Sequence, residues 1–66
     1  MVQKIKRAYT KGTRIRLIRM GEDSRPVEPG TEGTVEHVDD IGTIHCRFDT
    51  GRQLGLIWGV DSFELL

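Results

Sequence analysis

Apolar and polar positions alternate along most of this chain, the period of strands rather than helices. Between Thr13 and Met20, Ile15 and Leu17 fall on one side and Arg14 and Arg16 on the other, which predicts a half-buried strand. Ile18, Arg19 and Met20 break the period and predict a bulge or a twist at its end. Gly33 to Val38 reads as a second strand. Thr43 to Phe48 reads as a third, with Ile44, Cys46 and Phe48 on one face and His45 and Arg47 on the other. Gln53 to Ile57 follows with Leu54 and Leu56 inward, and Ser62 to Leu66 closes the series with Phe63 and Leu65.

Turn chemistry separates these runs. Pro29-Gly30 ends a polar loop over residues 21–32, Asp39-Asp40-Ile41-Gly42 forms a tight hairpin connection, and Asp49-Thr50-Gly51 forms another. Trp58 to Asp61 has the length of one helical turn. Residues 1–12 are basic, polar and weakly patterned, and are expected to form an arm or a short first strand. The predicted architecture is all-β: a small SH3-like five-stranded barrel over 13–66 behind a basic N-terminal arm over 1–12. Its expected core is Ile15, Leu17, Val35, Ile44, Cys46, Phe48, Leu54, Leu56, Val60, Phe63 and Leu65.

Size changes this picture. A chain of 66 residues buries only about 60% of the surface its unfolded form exposes, and leans on disulfides, metals or association. Cys46 is the only cysteine, and no further Cys or His cluster joins His37, His45 and Cys46 to complete a metal site. No metal and no cofactor is therefore expected, and homo-oligomerisation is. The unpaired thiol and the lack of an apolar leader read as cytoplasmic, and no stretch reaches membrane-spanning length.

The formal net charge is zero but segregated. Residues 1–20 carry seven cations and no acid, a net +7; residues 21–66 carry three cations and ten acids, a net −7. Such asymmetry points to an anionic partner or to a surface complementary to another copy, unless the halves interleave on folding.

Specific residues also carry a family resemblance. Gly12-Thr13-Arg14-Ile15-Arg16-Leu17, Pro29-Gly30-Thr31-Glu32-Gly33-Thr34-Val35 and His37-Val38-Asp39-Asp40-Ile41-Gly42 resemble an uncharacterised family of short SH3-like barrels. Its members come from Gram-positive bacteria, their phages and mobile elements. Phe48-Asp49-Thr50-Gly51, Leu54, Leu56 and Gly59-Val60-Asp61-Ser62-Phe63-Glu64-Leu65 fit the same pattern, so the resemblance spans residues 11–66. It implies a fold and a bacterial host cell, and no activity. Such domains tend to carry Pro before the glycine where this chain has Trp58. Gly12, Ile15, Leu17, Gly30, Gly33 and Val35 also look like the nucleic-acid-binding barrels of KOW type.

No catalytic residue is expected. Cys46 should be inert between Ile44 and Phe48, His45 leaves the opposite strand face, and Asp39-Asp40 is explained by its turn. The Pro26-Val27-Glu28-Pro29 spacing reads as a rigid loop. The strongest functional lead is the cation-bearing sheet face. Arg14, Arg16, His45 and Arg47 are the candidate ligand-binding residues for a phosphate, with Tyr9 and Trp58 as stacking surfaces. The expected function is a non-catalytic module that holds or sequesters a nucleotide-like anion, for example an immune signal. The first rival is a protein–protein adaptor or host-factor inhibitor using Trp58 and loop 21–32; the second is a KOW-like RNA or DNA reader. Against the anion stands a plain alternative, in which Arg14 and Arg16 pair with Glu36 or Glu64 across the sheet.

Overall fold

A computed structural model describes residues 2–21 and 27–66. One helix, α1 (Val2–Ala8), precedes five strands: β1 (Arg14–Arg19), β2 (Glu32–Val38), β3 (Thr43–Phe48), β4 (Gln53–Ile57) and β5 (Ser62–Leu65). The strands form one antiparallel sheet in the order β4-β3-β2-β1-β5. Among the described residues no ladder joins β4 to β5; the turn between them carries a single bridge from Trp58 to Asp61.

The first residues differ from expectation. They form neither a free arm nor a strand, because Val2, Ile5 and Tyr9 recur at helical spacing and give α1 one apolar side. A helix this short is marginal alone and is held by packing. Ile5 and Tyr9 are both buried in the common core. The helix rests on the β2–β3 hairpin, where a Cβ added at Gly42 would stand 3.5 Å from Val2 and 3.7 Å from Ile5. Gly42 also takes φ +89°, which the turn requires and a side chain would resist.

Ile15, Leu17, Val35, Ile44, Cys46, Phe48 and Leu56 are the most buried side chains, as the alternation predicts, and Leu54 and Phe63 pack against them. Val60 and Leu65 do not belong to the core: they are 55% and 53% exposed. Val60 sits in the β4–β5 turn, and Leu65 lies at the outer end of the short last strand. Val27 enters the core from the loop instead. The expected irregularity in β1 falls between Leu17 and Arg19, where the register against β5 shifts. A second shift, between Val35 and His37, sets His37 rather than Glu36 opposite His45.

Candidate functional site

Cross-strand register decides what the β1 arginines meet. Arg14 and Arg16 leave the same sheet face, as their spacing requires, but each arrives among carboxylates. Arg14 lies beside Thr34, and its guanidinium forks onto Asp49 at 2.8 and 2.7 Å and reaches Glu32 at 3.3 Å. Arg16 is flanked by Glu32 on β2 and Glu64 on β5, donating to Glu64 at 2.8 Å with Glu32 at 4.0 Å. Two guanidinium groups thus face three carboxylates, a net −1. The hydrogen bonds to Asp49 hold Arg14 still more firmly in its charged form, and the same fork holds the Asp49 carboxyl below its usual range.

His45 and Arg47 leave β3 outward as predicted and are also engaged. His45 Nε2 lies 2.9 Å from Asp39, and Arg47 lies 3.8 Å from Glu36. The His45 ring stacks on His37 with centroids 4.3 Å apart, a contact made by the β2 register shift. Asp39 is depressed by that histidine contact first and then by the Thr43 and Ile41 amides, which close the hairpin on its carboxylate. Cys46 is fully buried and desolvation pushes its thiol up to about 11, so no thiolate forms at neutral pH. Among the described residues no group of three or more His, Cys, Asp or Glu side chains is arranged to hold a metal.

Acid should therefore loosen this face. Asp39 and Asp49 have folded-state pKa values below their ordinary ones, so their stabilisation is complete above about pH 4 and is lost as pH falls through the folded values. The thermal midpoint is expected to drop over that acid range, and Asp49→Asn should lower it at neutral pH while flattening the acid fall. An unchanged acid limb in Asp49→Asn would show that the Arg14 fork contributes nothing.

The remaining candidates, Tyr9 and Trp58, come together in a way their distance in sequence does not announce. Tyr9 is buried and touches Trp58 and Phe63, with ring centroids 6.2 and 5.4 Å away; Trp58 and Phe63 are 6.1 Å apart. Tyr9 thus packs against Trp58 and keeps only 7% of its surface exposed. Trp58 is 51% exposed. It borders two shallow grooves: one of about 270 Å³ with Val2, Ile5, Ile41 and Ile57, and one of about 280 Å³ with Lys4, Ile5, Ala8 and Tyr9. Ile41, 84% exposed, and Ile57, 51% exposed, leave the apolar wall of the first groove open to solvent. Of loop 21–32, residues 22–26, including Pro26, lie outside the described residues; Val27 is buried and Glu28 to Gly30 are exposed.

With α1 under Trp58 in place, the extent of a family match becomes informative: the model of the domain of unknown function DUF4314 matches residues 1–66. The chain belongs to that family. The DUF4314 match takes in α1 as well as the strands, in keeping with an N-terminal segment that contributes Ile5 of α1 and Tyr9 just after it to the core. The expected resemblance to an uncharacterised domain family is met at that level. No curated protein matches this DUF4314 chain. Among the described residues no helix is long and apolar enough to cross a membrane.

The sequence missed α1 as part of the site. Its signal was the spacing of Val2, Ile5 and Tyr9, hidden among Lys4, Lys6 and Arg7.

Proposed function

We propose that this SH3-like DUF4314 domain is a non-catalytic protein-binding module whose docking surface is centred on Trp58. The observation that carries this reading is a half-exposed tryptophan between two apolar grooves, continuous with exposed Ile41 and Ile57. An apolar surface rimmed by polar groups is the usual character of an interaction site, and Trp is the residue most enriched where binding energy concentrates. Phosphate binding at Arg14, Arg16, His45 and Arg47 loses its physical support, because every one of these side chains already faces a carboxylate of the same molecule. An incoming anion would have to displace Asp49 or Glu64 to gain a free guanidinium.

A photo-cross-linking side chain at position 41, introduced in the cell of origin, tests the proposal. The expected result is a covalent protein adduct that disappears in Trp58→Ala, while that variant loses no more than about 1–2 kcal/mol of stability. A loss of about 3 kcal/mol or more would make Trp58 a structural cap. Adducts that persist without Trp58, or none at all, would remove the docking role.

A further inference from the structure

A second copy, a nucleic acid strand and an acidic polypeptide would each cover the Trp58 surface, and the charge around it separates them. Lys4 and Ala8, four residues apart on α1, line one groove with Tyr9 and Trp58. Arg7, three residues after Lys4, is exposed and extends the same charge outward along the helix. On the other flank Lys6 is taken up by Asp40 at 3.1 Å. Lys4 and Arg7 enter no ion pair among the described residues, in contrast to Arg14 and Arg16. No carboxylate lines either groove beside Trp58. The floor is aliphatic and aromatic, and the rim carries positive charge that no carboxylate among the described residues pairs.

Each occupant meets this arrangement differently. An isologous pair built on this face would bring two cationic rims together with no carboxylate in either groove to offset them, which disfavours it. A nucleic acid would satisfy the rim and stack a base on Trp58, but most of the lining side chains, Val2, Ile5, Ala8, Ile41 and Ile57, offer its base edges no hydrogen-bonding atoms. A polypeptide segment with carboxylates beside an aliphatic or aromatic side chain satisfies floor and rim together.

We infer that the partner presents an acidic segment, with one apolar side chain seated between Ile5, Ala8, Tyr9 and Trp58 and its carboxylates on Lys4 and Arg7. This inference rests on the protein-binding reading and names the chemistry of the partner.

Selection of a displayed library of random short peptides on the full chain tests it. The expected winners combine Asp or Glu with Leu, Phe or Trp. Synthetic versions should weaken about tenfold or more on the double change Lys4→Glu with Arg7→Glu. They should weaken about thirtyfold or more on Trp58→Ala. Winners lost with Trp58→Ala but not enriched in acids, and indifferent to the charge reversal, would overturn the acidic partner and leave the docking surface standing. Winners indifferent to Trp58→Ala, or no winners, would overturn both. Two further measurements name the rival occupants. Trp58 is the only tryptophan, so its fluorescence reports directly on this face. Quenching by single-stranded DNA at lower concentration than by any selected peptide would favour nucleic acid. A dimer in sedimentation velocity that Trp58→Ala abolishes would favour self-association.

Discussion

Phe48→Ala should leave this domain largely unfolded at room temperature. Phe48 is among the largest fully buried side chains, at the end of β3 where the ladder to β2 places it opposite Gly33. That neighbour has no room to fill a void: Gly33 is itself buried, and its backbone lies so close to Phe48 that even an added Cβ would be only 3.0 Å from the ring. Removing the ring costs about 3–5 kcal/mol through lost transfer and an uncollapsed cavity. A domain below about 70 residues rarely holds more than 3–5 kcal/mol in total. Near-native circular dichroism with a cooperative melt above room temperature would show that the core is less interdependent than its packing indicates.

Tyr9→Ala should cost about 3 kcal/mol, equivalent to a fall in thermal midpoint of roughly 20 °C. Tyr9 stands just past α1, its amide donating to the Ile5 carbonyl at 2.9 Å, and its ring is the meeting point of Trp58 and Phe63. Its loss removes the main aromatic anchor of the helix and opens the underside of Trp58. Tyr9→Phe is the control: the hydroxyl has no hydrogen-bond partner within the described residues, and its removal should change stability by about 0.5 kcal/mol or less. Limited proteolysis supplies the structural readout. The basic residues of α1 should resist trypsin in the native chain and be cut rapidly in Tyr9→Ala. Cleavage at the same rate in both would return the N-terminal segment to the status of an arm.

The strands were legible because each inward residue is followed by an outward one: Ile15 and Leu17 against Arg14 and Arg16, Ile44 and Cys46 against His45 and Arg47. The turns were legible because Gly42 and Gly51 adopt the positive φ that their contexts ask for. Helix α1 was obscured because seven residues offer barely two turns of periodicity and three of them are cationic. Alternation in β5 marks Phe63 and Leu65 alike, but it carries no information on which end of an edge strand is covered. The site divides in the same way. That Arg14 and Arg16 share a face follows from their spacing, whereas Glu32, Asp49 and Glu64 arrive from three other parts of the chain through strand order. Arg16 pairs with Glu64 as the plain alternative expects, whereas Arg14 pairs with Asp49 and Glu32, and Glu36 lies by Arg47 instead.

The Asp61 carboxylate reaches two separate stretches of backbone, accepting the Ile57 amide at 2.8 Å with one oxygen and the Gly21 amide at 2.6 Å with the other. Between Ile57 and Asp61 stands the turn that displays Trp58, further closed by the Val60 and Asp61 amides on the Ile57 carbonyl. The indole is therefore mounted on main chain already fixed before any encounter. A visitor need not freeze that turn, so the entropy of ordering it is spent during folding and not during association.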